Sequence, residues 1–296
     1  MKEEMIRLKN SIKMNVRYSE THGTAIILLH FGTGTSHIWN GIIPFFKDSF
    51  KIIAPDLRGH GKSDKPMDGY HIDDMANDIY FLLEELGINK CHIIGSSLGA
   101  EVGVSFASAY PDKVLSLICE GALYNEFGEY GLFNGSKSEI EQEKRKNIES
   151  FLARTKPIYK SRTELIKEES KSLQAEGLWN EYFKKFIESN ICETESGDFT
   201  YCNPDHASNI YVQHYFNFKF EKYYQKIKCP VLFLPSDGEW NNERIREIMF
   251  RFANFLDKYE IKNIKDSLHA YVWMQYPEIA GKIAYDFITK IEETII

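Results

Sequence analysis

The sequence lacks long runs of one kind of residue, whether basic or apolar. It carries a net charge of −7 over 296 residues and has no extended basic stretch, so we expect no nucleic-acid partner. The longest apolar runs, such as 25–31, are far shorter than the roughly 20 residues that span a bilayer. The amino-terminal stretch MKEEMIRLKN lacks the apolar centre of a secretory signal, which predicts a cytoplasmic protein with no membrane partner.

Cysteine is scarce and irregularly spaced, with five residues and no CxxC pair. An odd number of widely separated cysteines is not typical of a disulfide framework or a zinc site, so we expect reduced thiols, as in cytoplasmic proteins. His206 and His214 lie near Cys202, but their separation matches no common ligand spacing, so we expect no metal. The cysteines are Cys91, Cys119, Cys192, Cys202 and Cys229.

What the sequence does contain is a series of short, continuous apolar runs that alternate with helical patterns. Strands that are apolar throughout are typical of parallel sheets buried on both faces, and such alternation puts helices on both sides of the sheet. We therefore predict an α/β fold with a mostly parallel, doubly wound sheet and a β-hairpin over 6–18 at its edge. The predicted strands are 25–29, 51–55, 91–94, 114–119, 229–234 and 259–264, and the predicted core helices include 71–86, 240–252 and 277–291.

The stretch from 125 to 225 differs from the rest of the chain, because it is charged and aromatic and has no buried-strand pattern. Its periodicity predicts helices over 139–154, 163–175 and 178–189. We therefore divide the chain into a core, residues 1–124 and 226–296, and a helical insertion, residues 125–225, that lies over the sheet.

The pentapeptide Gly95–Gly99 reads Gly-Ser-Ser-Leu-Gly and stands between an apolar strand and a small-residue helix. The central serine of such a strand-turn-helix motif is exposed on a tight turn, where only small residues fit two positions before and after it. Ser97 meets this requirement, whereas Ser96 would need a glycine at the position of Ile94. Ser97 is therefore the candidate nucleophile.

Candidate partners for this serine follow later strands, in the order serine, acid, histidine that the motif requires. The loop after the strand 229–234 holds Asp237 and Glu239, and His269 follows the last strand. Histidine can accept the serine proton because its usual pKa lies near neutrality. A carboxylate on the other ring nitrogen fixes the tautomer and stabilises the imidazolium, and either acid could supply it.

A reaction at a carbonyl group also needs donors for the negative oxygen that develops on the substrate. The backbone N–H of Leu98, at the start of the helix after the serine, is one candidate. The glycine-rich loop after the strand 25–29 offers a second donor, from Gly32 or Phe31. These three residues form the candidate oxyanion hole.

Other features have less specific interpretations. Gly61-Lys62-Ser63 suggests a phosphate-binding loop, but the full motif needs a glycine where the chain has Asp56, so we reject nucleotide binding. Glu101, on the helix after the candidate nucleophile, is expected to be paired or exposed rather than buried at the site. The aromatic residues of 211–224 are expected to pack within the insertion or to line an apolar pocket.

Taken with these motifs, the chain resembles an α/β-hydrolase fold enzyme with a helical cap. The residues that carry the resemblance are His30 with its glycine loop, Trp39, Asp56–Asp64, Gly95–Gly99, Pro111–Val114 and His269 with Pro277. The resemblance covers nearly all of the predicted core and implies a serine hydrolase with a small-molecule substrate and no cofactor. The family's acid position, counted from Pro230, corresponds to Glu239, which we favour over Asp237. The family usually has glycine where this chain has Phe31.

The resulting hypothesis is a carboxylesterase-like enzyme that cleaves an ester or related carbonyl bond of a small, partly apolar substrate through an acyl-enzyme on Ser97. The resemblance also leaves open a carbon–carbon bond hydrolase, lactonase, thioesterase or lyase that uses the same residues. A third alternative is a ligand-binding protein on a hydrolase fold that has lost catalysis. The substrate and the oligomeric state stay open, a homodimer included.

Overall fold

The computed structural model describes residues 1–295, which form a central sheet of eight strands in the order β1-β2-β4-β3-β5-β6-β11-β12. β2 pairs with β1 and β4 in antiparallel fashion, and the remaining neighbours are parallel. The prediction of a mostly parallel α/β sheet with an edge hairpin is therefore confirmed. The strands are β1 Lys2–Arg7, β2 Lys13–Tyr18, β3 Ala25–Leu29, β4 Lys51–Pro55, β5 Cys91–Ser96, β6 Val114–Glu120, β7 Asn125–Phe127, β8 Gly131–Phe133, β9 Ile191–Glu193, β10 Phe199–Tyr201, β11 Val231–Phe233 and β12 Tyr259–Ile261.

Helices cover both faces of this sheet because its strands are apolar on both sides. Every residue of β3 is buried, and two large apolar clusters lie on opposite faces, one with α2 and α3 and the other with α1 and α12. The helices are α1 Ile43–Phe46, α2 Ile72–Glu85, α3 Leu98–Ala109, α4 Lys137–Leu152, α5 Arg162–Ala175, α6 Glu181–Ser189, α7 Asp205–Tyr215, α8 Phe220–Tyr224, α9 Asp237–Asn241, α10 Glu243–Ala253, α11 Val272–Gln275 and α12 Pro277–Ile295. Within 1–295, no helix combines the length and the apolar character needed to cross a membrane.

One predicted helix is divided in the structure. The stretch 240–252 was expected to be continuous, but α9 ends at Asn241 and α10 begins at Glu243. Asn242 causes the break, because its side chain accepts hydrogen bonds from the backbone N–H groups of Arg244 and Ile245 and so caps a new helix.

Residues 125–225, which we call the helical segment, lie between β6 and β11 and contain α4–α8. They also contain two short sheets, β7–β8 and β9–β10, that the periodicity did not predict. Leu165, Ile187 and Ile191 form a small apolar cluster within the segment. α7 and α8 pack against the cluster of the main sheet that contains α3, so this part of the segment lies close to the turn at Ser97.

The prediction that all five thiols are reduced is wrong for two of them. Cys192 and Cys202 form a disulfide in the β9–β10 hairpin, with their Cα atoms 4.9 Å apart. Antiparallel pairing of Ile191 with Tyr201 brings the two cysteines within the Cα separation that a disulfide needs, which their sequence spacing did not reveal. The other three cysteines are buried and unpaired in the described part of the chain.

The start of α3 lies very close to the sheet, and glycine makes this approach possible. A Cβ atom at Gly99 would lie 1.9 Å from the carbonyl oxygen of Leu29, and one at Gly95 would lie 2.5 Å from the Cα atom of Ala100. Contacts this short force the backbone to move, so these two glycines set the distance between α3 and strands β3 and β5.

We expect Gly99→Ala to lower the free energy of unfolding by about 1–3 kcal/mol, the usual cost of an overpacked site, as measured by urea denaturation. Gly238→Ala is the matched control, because a Cβ at Gly238 meets open space, and its stability should be unchanged or slightly higher, as expected for alanine in a helix. Equal stability of Gly99→Ala and the wild type would show that α3 can move away from the sheet without cost.

Candidate functional site

Ser97 stands on a strained turn between β5 and α3, with φ 49° and ψ −115°. Residues other than glycine rarely adopt a positive φ, and they keep this conformation only where the neighbouring structure holds the backbone in place. The backbone N–H of Ser97 donates to the carbonyl oxygen of Glu120 at 2.5 Å, and a Cβ on Gly121 would lie 2.7 Å from the Cα of Ser97. The end of β6 therefore holds the turn in place, so that the hydroxyl of Ser97 lies at the carboxyl edge of the sheet.

His269 reaches this hydroxyl from the loop after β12, with Nε2 3.1 Å from Ser97 Oγ. Two residues with positive φ flank that part of the loop, Asp266 at 59° and Ala270 at 66°. The imidazole Nδ1 faces two carboxylates, so we place its proton on Nδ1 and leave Nε2 as the acceptor for the serine hydroxyl. The structure thus brings together the serine and the histidine that the sequence singled out.

Glu239 supplies one of the two carboxylates, with Oε1 3.2 Å from His269 Nδ1. Its other oxygen, Oε2, accepts hydrogen bonds from the backbone N–H and the hydroxyl of Ser236 in a capping box at the start of α9. This local motif holds the longer glutamate side chain with one oxygen directed at the imidazole.

Asp237, the alternative acid of the sequence analysis, takes a different place. Its backbone N–H donates to Ser267, while its side chain forms no hydrogen bond or ion pair with His269 among the described residues. The structure therefore brings Glu239, and not Asp237, to the histidine.

Glu120, at the end of β6, supplies the second carboxylate and was missed by the sequence analysis. Its fully buried side chain has Oε1 3.3 Å from His269 Nδ1 and 2.7 Å from the backbone N of Ala270, while Oε2 accepts a 2.5 Å hydrogen bond from Ser96. The available signal was an acidic residue that ends an otherwise apolar strand. Parallel strands deliver such residues to the same sheet edge.

These carboxylates control the charge of the imidazole. Burial would lower the pKa of His269, but the charges and hydrogen bonds of Glu120 and Glu239 outweigh it and raise that pKa well above its usual value. Burial would likewise raise the pKa of Glu239, but the hydrogen bond and charge of His269 and the hydrogen bonds from Ser236 lower it. The two carboxylates thus stabilise the imidazolium that forms when Nε2 takes a proton.

Two further predicted residues lie where they can bind a negative oxygen. A Cβ built on Gly32 would lie 3.9 Å from the Cβ of Leu98, so the glycine loop adjoins the start of α3. Among residues 1–295, the backbone N–H groups of Phe31, Gly32 and Leu98 have no hydrogen-bond acceptor. The Phe31 ring instead packs edge-on against Phe186 and Tyr271, so in this loop the larger residue is accommodated by an aromatic contact.

His30 holds the glycine loop and does not reach the reacting groups. Its Nδ1 lies 2.8 Å from the carbonyl oxygen of Phe31 and its Nε2 accepts from the backbone N–H of Leu57 at 2.9 Å. The Asp56 carboxylate likewise accepts backbone hydrogen bonds, from Ser36 and Lys62. These contacts are structural for both motifs.

A small space of about 30 Å³ adjoins the serine and the histidine. Its lining comes from both the core and the helical segment, which contributes Tyr215 and Phe220. Glu101 lines it too and is 4 % exposed, so the expectation that this residue does not face the site is wrong. The lining residues are Ser97, Glu101, Gly121, Ala122, Leu123, Tyr124, Tyr215, Phe220, Glu239 and His269.

In the part of the chain that the structure describes, Glu120, Glu239 and His269 are the one group of at least three possible metal ligands. A metal ion would bind Nδ1 of His269 only without its proton, and it would take the place of that proton between Glu120 and Glu239. The oxygens of these two carboxylates already accept hydrogen bonds from Ala270, Ser96 and Ser236. The contacts therefore fit an N–H group at Nδ1 better than a metal ion. His206 and His214 do not meet at such a group, as His206 faces the carbonyl of Pro66 and His214 packs on His71.

The sheet order and the serine on the turn after β5 define an α/β-hydrolase type of protein. The chain belongs to the alpha/beta hydrolase fold family, whose model matches residues 24–240.

Similarity to individual proteins is strong over short stretches and weak over the whole chain. A 2-(acetamidomethylene)succinate hydrolase of Mesorhizobium japonicum is 38% identical over 107 residues, 36% of this chain and 38% of that protein. The chain thus matches only about a third of the length of the first curated relatives, which are 38–42% identical. A putative 2-succinyl-6-hydroxy-2,4-cyclohexadiene-1-carboxylate synthase of Bacillus subtilis is 24% identical over 90% of this chain and 91% of that protein.

Among solved structures, an E-2-(acetamidomethylene)succinate hydrolase superposes with a TM-score of 0.77 at 21% identity, over 97% of this chain and 98% of the other. At this identity the superposition shows a shared fold.

The contacts of His269 Nδ1 with Glu120 and Glu239 predict how the pKa of His269 changes when either carboxylate is removed. We expect Glu120→Gln and Glu239→Gln each to lower that pKa, and the double variant to lower it further, because each change removes a negative charge that stabilises the imidazolium. The pKa is measured by NMR titration of the imidazole, with the His269 signals assigned by comparison with His269→Asn.

Asp237→Asn is the control and should leave the titration of His269 unchanged. A Glu120→Gln protein with the wild-type pKa at His269 would mean that Glu239 alone interacts with the ring.

Proposed function

We propose that the chain is a serine hydrolase that cleaves an ester or related carbonyl bond of a small, partly apolar substrate. The observation that carries this proposal is the continuous chain of contacts from Ser97 Oγ to His269 Nε2 at 3.1 Å and from His269 Nδ1 to Glu239 Oε1 at 3.2 Å. A nucleophile, a base and an orienting carboxylate in these positions can activate a hydroxyl that is otherwise a poor nucleophile.

In the proposed reaction, Ser97 Oγ attacks the carbonyl carbon while His269 Nε2 takes the hydroxyl proton. The resulting imidazolium gives that proton to the leaving oxygen, the bond to the leaving group breaks, and an acyl-enzyme remains on Ser97. Water then attacks the acyl group with His269 again as the base, which releases the acid and restores the serine. Glu239 orients the ring, and Glu120 adds a second negative charge that stabilises the imidazolium.

The negative oxygen of the tetrahedral intermediate needs donors on the side of the carbonyl away from His269. We assign this role to the backbone N–H groups of Leu98 and Gly32, with Phe31 as the alternative to Gly32. The support is their adjacency and the lack of another acceptor among the described residues. Leu98 also begins α3, where the helix dipole favours negative charge.

The helical segment acts in this proposal as a cap. Tyr215 and Phe220 close the space beside Ser97, and about 30 Å³ is room for roughly one water molecule. The side chain of His269 is 44 % exposed, so the reacting pair itself is open to solvent and the helical segment restricts only the space on the side of Tyr215 and Phe220.

A cytoplasmic location is also proposed, and the three cysteines that are unpaired among the described residues support it. The Cys192–Cys202 disulfide argues against it, because disulfides form mainly in oxidising compartments. Fractionation of cells that express the tagged protein would decide between the cytoplasm and an oxidising compartment.

The experiment that tests the enzyme is labelling with a fluorophosphonate, which reacts with activated serines, followed by mapping of the adduct by mass spectrometry. We expect one adduct, on Ser97, and a loss of ester turnover in Ser97→Ala of about 10⁵–10⁶-fold in kcat, as for other triads. Ser96→Ala is the matched control, because its hydroxyl faces Glu120, and it should keep the adduct on Ser97.

Folded protein that gives no adduct and no ester turnover, or a Ser97→Ala variant with more than about a tenth of wild-type turnover, would overturn the proposal.

Ester turnover that persists unchanged in excess chelator is also expected, since no step uses a metal ion.

A further inference from the structure

The space beside Ser97 is lined on one side by carboxylates and phenol rings. Glu101 and Glu239 lie there with Tyr124 and Tyr215, and no lysine or arginine of residues 1–295 is among the lining residues. His269 is the one group in this lining that can take up a positive charge, and its Nδ1 already faces Glu120 and Glu239. The space is therefore electrostatically suited to a positive group and unsuited to a negative one.

Glu101 is the residue in this lining whose charge has no partner. It lies one helical turn after Ser97 in α3, and its Oε2 accepts a 2.7 Å hydrogen bond from the hydroxyl of Tyr211. Within the described residues, Oε1 has no hydrogen-bond donor and the carboxylate forms no ion pair. The Glu101 carboxylate is 4 % exposed, and a buried carboxylate without a nearby cation is costly to ionise. A ligand cation beside Glu101 would therefore bind with a favourable electrostatic energy.

The surroundings strengthen this charge preference. Burial raises the pKa of Glu101 to about 7, so the residue ionises near neutrality and a nearby cation would favour ionisation further. Glu126 lies just beyond the lining, where it accepts a 2.6 Å hydrogen bond from Tyr215. Tyr124 and Tyr215 also line this space, and aromatic rings attract cations, quaternary ammonium groups above all.

We propose that this pocket selects substrates that carry an ammonium group close to the scissile bond and excludes substrates that carry a carboxylate there. The inference rests on the proposed function, since it assigns the substrate class of the same site. The occupant is an ammonium rather than a metal ion, because Glu101 offers one free oxygen and the oxygens of Glu239 are already engaged by His269 and Ser236.

The test compares esters of equal chain length that end in a trimethylammonium group, in its uncharged isostere or in a carboxylate. On the acyl side these are the phenyl esters of 4-(trimethylammonio)butanoate, of its uncharged isostere 5,5-dimethylhexanoate, and of glutarate. On the alcohol side they are the acetates of choline, of 3,3-dimethylbutanol and of 3-hydroxypropanoate. In at least one set we expect kcat/KM to be about tenfold or more higher for the cation than for the isostere, and lowest for the anion.

Glu101→Gln removes the charge and keeps the shape, and it should bring the ratio of cation to isostere close to one. Glu169→Gln is the matched control, because Glu169 also accepts a hydrogen bond from a tyrosine, Tyr159 at 3.1 Å, but lies in the helical segment away from Ser97. This control should keep the wild-type ratio.

Competitive inhibition of the wild type by choline, and weaker inhibition by 3,3-dimethylbutanol, provides a test that does not depend on the folding of a variant.

The outcomes separate this inference from the proposed function. If phenyl acetate and all six esters resist hydrolysis, the proposed serine hydrolase fails. If neutral esters are cleaved in a Ser97-dependent way but the cation has no advantage in either set, or the advantage survives Glu101→Gln, the charge selection is wrong and Glu101 with Tyr211 is a structural pair.

Discussion

The close approach of α3 to the sheet is the constraint on which the site depends. Gly95 and Gly99 allow a turn so tight that Ser97 adopts a positive φ, and Gly121 and the backbone of β6 hold it there. The strain is local, but the large cores on both faces of the sheet keep each of these elements in place. A well-packed fold can thus maintain one residue in a conformation that the isolated turn would avoid.

Parallel strands explain why the remaining groups meet at this serine. Glu120 ends β6, Glu239 follows β11, and His269 follows β12, and these three strands are neighbours in the sheet. Their carboxyl ends lie at one edge, so residues far apart in the chain come within hydrogen-bond distance. Two of them are carboxylates that converge on His269 Nδ1. Ser96, beside the proposed nucleophile, orients one of these carboxylates through its hydroxyl.

Local motifs carried most of the information that the sequence could provide. The pentapeptide around Ser97 and the apolar strands predicted the sheet and the position of the serine, because a tight turn and a buried strand each restrict which residues can occupy them. Glu120 escaped prediction because its one local signal, an acid at the end of an apolar strand, does not separate a buried acid from one in solvent. The environment of Glu101 and the Cys192–Cys202 disulfide depend on how the helical segment folds, and its amphipathic periodicity does not define those contacts.

The distribution of charge at the site has a consequence for the proposed reaction. Transfer of the serine proton creates an imidazolium and a negative substrate oxygen together, and the protein must stabilise both. Glu120 and Glu239 favour the imidazolium, but carboxylates close to the substrate oxygen would oppose its charge. The free N–H groups of Leu98 and Gly32 lie at the start of α3 and in the glycine loop, whereas the carboxylates come from the ends of β6 and β11. This separation lets Glu120 and Glu239 stabilise the imidazolium from strand ends that do not form the proposed oxyanion hole, whose backbone donors stabilise the negative oxygen.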